Sequence, residues 1–190
     1  MCVRPKLALR HWVFVGSMVA LDFTFGMVFK SLLHATGIAA VIRLDMAVPI
    51  VLLMLTRLIV DRFGVLIAYQ LCWGILAMVA LPGGALPGPL RLIPILAQGL
   101  FFDTCFSLLQ RYPRGRVFAA AVTGGLAGSA AVMLARIWVM GLPWSALTKS
   151  LFGLEACTSI LVHAAAAALA LLIWSRIRGL AITGMLRAST

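Results

Sequence analysis

The sequence predicts an all-α integral membrane protein, on three observations. Of 190 residues, 63% are hydrophobic and only 11% charged, whereas soluble domains carry roughly 25% charge. The mean hydropathy is +1.10. Apolar runs recur at lengths that cross a bilayer core, for which about 20 residues at about 1.5 Å each suffice. The basic residues fall mostly between those runs, as the positive-inside rule expects. A bundle of six transmembrane helices in a single domain, residues 1–190, follows, with no linker long enough to divide it.

Helix 1 is expected over about 12–30. Gly16 and Ala20 lie one turn apart on one face, and small-xxx-small spacing lets a second helix approach closely. Asp22 sits near mid-span, where a charge is costly unless paired or protonated. The basic start and Met18-Val19-Ala20 also fit a cleavable signal peptide, but cleavage would remove the helix, and an uncleaved helix is preferred. A polar knuckle, Lys30 to Gly37, follows.

Helix 2 is expected over about 44–60, kinked at Pro49, with Arg57 and Asp61 paired at i, i+4 as an exposed, weak, depth-setting ion pair. Helix 3 is expected over about 64–81, marked by Tyr69, Gln70 and Trp73. Pro82 to Pro89 carries three prolines and three glycines and is read as non-helical, either a connection or a lid. Helix 4, about 90–110, holds Gln98 and Asp103. Helix 5, about 117–141, carries Gly124, Gly125, Gly128 and Ser129 at packing positions. Helix 6, about 154–175, opens on Glu155 and contains His163, read as a helix–helix hydrogen-bonding group.

Orientation follows from charge. With both termini cytoplasmic, the inner side receives Arg4, Lys6, Arg10, Arg57, Arg62, Arg111, Arg114, Arg116, Arg176, Arg178 and Arg187. The outer half receives Lys30, Arg43, Arg91, Arg136 and Lys149. A net charge of +11 spread in this way, not gathered on one stripe, argues against a nucleic-acid partner.

Lys30, His34, Arg43, Asp45, Arg91, Arg136, Lys149 and Glu155 then share the outer half with Trp138 and Trp144, and Gln98 lies a turn or two deeper. Intramembrane charges usually face a bundle interior or a cavity. Arg136 and Glu155 either face one pocket, an Arg fork clamping an anionic ligand group, or pair with each other. The tryptophans serve equally well as interfacial anchors or ligand-stacking surfaces. Asp22 and Asp103 lie deeper, either proton-linked or structural. Cys2, Cys72, Cys105 and Cys157 form no CxxC pair, and no HxxxH or HExxH is present, so neither metal nor cofactor is expected. No GxSxG or placed base supports catalysis.

These features together resemble the substrate-binding S components of energy-coupling-factor (ECF) vitamin transporters. Gly16-xxx-Ala20 resembles their AxxxA-type docking face, with Gly in the first place. The 82–89 loop and the 30–45 knuckle fall where such proteins place gating loops. Nickel and cobalt members begin Met-His, whereas Met1 here precedes Cys2, which argues against a metal substrate. The resemblance implies a non-enzymatic protein of the cytoplasmic membrane that captures a micronutrient from outside. Its partners would be a coupling membrane protein, which Gly16 and Ala20 would dock, and two ABC ATPases. The pocket would draw on Lys30, His34, Arg43, Arg91, Arg136, Trp138 and Glu155. Two other classes compete: a scaffold membrane protein whose outer polar residues pair among themselves, and an intramembrane enzyme using His163, Asp103 or Asp22.

Overall fold

The structure, a computed structural model, describes residues 8–36, 46–80, 86, 88–112, 115–180 and 183–184, without the side chains of 29–36, 150, 154 and 155. Every regular element among them is helical. They are α1 (Leu9–Thr36), α2 (Ala47–Ile59), α3 (Val65–Ala80), a 3-10 turn (Gly88–Arg91), α4 (Leu92–Leu108), α5 (Gly115–Met140), α6 (Trp144–Phe152) and α7 (Leu154–Ile177).

α1 runs through Lys30 and His34 to Thr36, past the expected end, because no proline or glycine interrupts it between Gly26 and Gly37. Its inner face is His11, Val15, Val19 and Asp22, all buried, and its opposite face is exposed. α2 is the centre of the bundle. Ile50 to Ile59 are all buried, against α1, α3 and α7. Pro49 does not kink it as expected: it is the third residue of the helix, where a backbone donor has no intrahelical partner to lose. At 13 and 16 residues, α2 and α3 are apolar but short. Among the described residues four segments are long and apolar enough to cross a membrane: Leu9–Val28, Gly88–Leu108, Gly115–Met140 and Ala156–Ile177.

Two further departures have local causes. The end of the Pro/Gly segment, expected to be wholly non-helical, forms the 3-10 turn that leads into α4, and Leu86 before it is buried. α6 is an additional short helix. Gly141 ends α5 at φ +67, a left-handed value that a Cβ disfavours. Pro143, in extended conformation, is the N-cap from which α6 starts. Nine residues of mixed polarity give no span-length signal, so the sequence reading passed over this helix.

α3 and α4 run antiparallel. The start of α3 meets the end of α4 where Asp103 accepts from Leu66 N–H. Further along, Gly74 of α3 faces Leu92 and Ile95 at the start of α4. α5 packs on α4 and α7 through missing side chains. A Cβ at Gly124 would strike the Phe102 ring, one at Gly125 the His163 ring, and one at Gly128 the Gln98 amide at 2.8 Å. The small residues therefore set the helix spacing. Ala166, Ala167 and Ala170 give α7 a similarly close inner face.

Exposed aromatic residues mark both ends. Trp12 and Tyr112 lie at one, Trp138, Trp144 and Phe152 at the other. Between Arg116 and Trp138, α5 rises about 33 Å, close to the roughly 30 Å hydrocarbon core of a bilayer. Trp138 is 81% exposed, which favours the interfacial-anchor role over ligand stacking.

Candidate small-molecule cavity

The bundle carries two polar regions at different depths, and they differ in kind. The first is ionic and closed. Arg57, 1% exposed, places Nε 2.9 Å from Asp103 Oδ1, and its other arm donates to Asp61 Oδ1 at 2.8 Å. Arg116 approaches the same Asp61 oxygen at 3.6 Å. Both guanidinium groups lie over the Phe106 ring, at 5.4 and 5.5 Å from its centre. Asp103 Oδ2 accepts from the backbone N–H groups of Gly64, Leu66 and Ile67 at 3.0, 3.0 and 3.3 Å. A carboxylate on α4 thus caps the first turn of α3, where unsatisfied donors and the helix dipole both favour negative charge. The Arg57–Asp61 pair keeps its exposed carboxylate, as expected, but Arg57 itself is buried and also pairs with buried Asp103, so the ion pair belongs to a larger network joining α2, α3, α4 and α5. For Asp103 this is a structural role.

The second region lines space. A cavity of about 490 Å³ lies in the other half of the bundle, between α1, α2, α3, α4, α5 and α7. Small-molecule sites commonly enclose roughly 300–1,000 Å³. Its apolar walls include Phe23, Met27, Leu53, Trp73, Ile95 and Phe102, and its polar groups are Asp22, Tyr69, Gln70, Gln98, Ser129, Arg136, Ser159 and His163. On α5 the lining runs from Gly125 to Arg136, about 16 Å of helix rise.

Six of these polar groups interact with one another. The Tyr69 hydroxyl donates to Asp22 Oδ2 at 2.8 Å, joining α3 to α1 and placing the buried acid at the cavity wall. His163 Nδ1 lies 2.6 Å from the Ser159 carbonyl oxygen. A carbonyl accepts only, so Nδ1 carries the proton, and in the neutral ring Nε2 is then an acceptor on the side of Gly125. Gln70 Nε2 donates to Gln98 Oε1 at a long 3.4 Å, bridging α3 and α4.

Of the residues expected to form the pocket, Arg136 lines the cavity. Arg91 lies on the 3-10 turn, where its Nε donates to the Leu86 carbonyl at 2.6 Å, and neither it nor exposed Trp138 reaches the cavity wall. Lys30 and His34 fall in the last turns of α1 and Glu155 in the first turn of α7, with side chains outside the described ones; Arg43 lies outside the described residues. On α1, Gly16 and Ala20 are on the exposed face, and a Cβ at Gly16 would meet nothing within 4 Å. The polar and amphipathic groups that sequence reasoning did not assign to the site are Asp22, Tyr69, Gln70, Trp73, Gln98, Ser129, Ser159 and His163. Their common signal was a polar or amphipathic residue inside an apolar run. Their convergence depends on helix rotation, which hydropathy does not report.

Among the described residues no group of three or more metal-ligating side chains comes together. Comparison with protein-family models, curated proteins and solved structures gives no match for this chain.

Proposed function

We propose that the protein is the substrate-capture subunit of an ECF-type importer in the cytoplasmic membrane, binding a small micronutrient in the cavity between its helices. The carrying observation is the contrast in depth. One end is tied shut by the Arg57–Asp103–Asp61–Arg116 network, and the other half encloses about 490 Å³ lined by convergent polar groups. A reading of six spans with both termini inside, supported by the distribution of basic residues, puts the closed end at the cytoplasmic face and the cavity in the outer half. Enclosed space with a few placed polar groups is how small ligands are oriented and desolvated. A scaffold would have no use for it.

In this reading the open α1 face, with Gly16 and Ala20, docks the coupling protein, and two ABC ATPases supply the energy. Leu9, Val13 and Leu21 extend the same exposed apolar surface. The test is affinity purification of the tagged chain from its native membranes, with Gly16→Leu alongside. An ABC-type ATPase pair and a membrane coupling protein should co-purify with the wild type and be lost from the variant. A wild-type preparation free of any ATPase would overturn the importer assignment.

A further inference from the structure

We infer that the cavity selects a planar ring carrying an adjacent N–H and C=O, as in a lactam, imide or cyclic ureide, through the paired amides of Gln70 and Gln98. This rests on the cavity being a ligand site, and it names the chemistry that site would read.

The two amides are seated by design of the backbone around them. Gly99 leaves the room that Gln70 fills: a Cβ there would lie 3.1 Å from Gln70 Cγ. Gly128 does the same for Gln98, whose Nε2 would lie 3.1 Å from an added Cβ. Gln70 is 8% exposed, and both side chains line the cavity. One long bond, 3.4 Å, is the hydrogen bond these amides make among the described residues. It leaves the Oε1 acceptor of Gln70 and the remaining Nε2 donor capacity of Gln98. Reversing both amides leaves the same inventory, one acceptor and one donor side, so the conclusion does not depend on how oxygen and nitrogen are assigned.

Gln98 is half-buried at the cavity wall, and amide groups facing the cavity with hydrogen-bonding capacity to spare favour a ligand that uses it over one that cannot. The complement of a neighbouring acceptor and donor is a neighbouring donor and acceptor, which is what a lactam or ureide edge presents. Trp73, one turn from Gln70 on α3, and Phe102, one turn from Gln98 on α4, supply aromatic wall beside the amide pair. A flat ring whose edge meets the glutamines is therefore matched on both counts.

The experiment titrates the full-length protein in mild detergent with pyridone, uracil and imidazolidinone, each beside its fully N-methylated counterpart (N-methylpyridone, 1,3-dimethyluracil and 1,3-dimethylimidazolidinone), by ligand-observed NMR. The N–H compounds should bind, and the N-methyl forms should bind at least about tenfold more weakly, the equivalent of one lost hydrogen bond. Gln70→Met and Gln98→Met should abolish that difference while the melting temperature holds. Should either variant misfold, the paired probes on the wild type alone still decide. Val132→Trp, which fills the cavity, separates the two claims. Equal binding of N–H and N-methyl rings, blocked by Val132→Trp, would overturn the edge reading and leave the cavity a ligand site. No binding by either set would overturn both.

Discussion

The Arg57–Asp103 cluster and the Asp22–Arg136 cavity are built from the same residue types in the same bundle, yet they answer opposite requirements. At the ionic end the charges spend themselves on one another and on the α3 backbone, with Phe106 between two guanidinium groups. In the cavity, polar atoms are held singly by Tyr69, Ser159 or a partner glutamine, and they border about 490 Å³ of space. Polarity inside a membrane protein therefore divides by what it faces: groups that satisfy each other hold helices, and groups that border space bind.

The sharpest way to break this contrast is at the ionic end. Asp103→Ala leaves buried Arg57 with only the exposed Asp61 and uncaps α3, and should cost about 3–5 kcal/mol, read as a large fall in melting temperature or loss of monodisperse protein. Near-normal stability would mean that the cluster is not the lock described. Next comes Gly128→Leu, which drives a side chain into Gln98 and should cost about 1–3 kcal/mol of stability and disturb the cavity with it. Arg136→Ala should leave folding nearly intact, with a stability change within about 1 kcal/mol, yet weaken ligand binding at least about tenfold through loss of a charged hydrogen-bonding group. Unchanged affinity would remove Arg136 from the site. Smallest of all is Gly16→Leu: with nothing within 4 Å, stability should move by less than about 0.5 kcal/mol, while association with a coupling protein is lost.

The same contrast explains what was legible in the sequence. Apolar run length located the long helices, and glycines 124, 125 and 128 gave away the close packing of α5. The i, i+4 spacing found Arg57–Asp61 but not the burial of Arg57, because Asp103 arrives from α4 and Phe106 with it, contacts that no local pattern encodes. For the cavity, grouping polar residues by depth captured Arg136. It also gathered Trp138 and Arg91, which share that depth but not the direction of the side chain. Asp22 and Tyr69 were visible as polar marks in separate helices. Their 2.8 Å bond required knowing how α1 and α3 are rotated against each other.

The most direct test of the account is native mass spectrometry on the wild-type protein and Val132→Trp, purified in mild detergent from cells grown in rich medium. The account predicts a small molecule of vitamin-like mass bound to the wild type and absent from the variant, whose cavity is filled. A wild-type spectrum that stays empty through a panel of added vitamins would contradict it, and the residues around the cavity would then be helix packing alone.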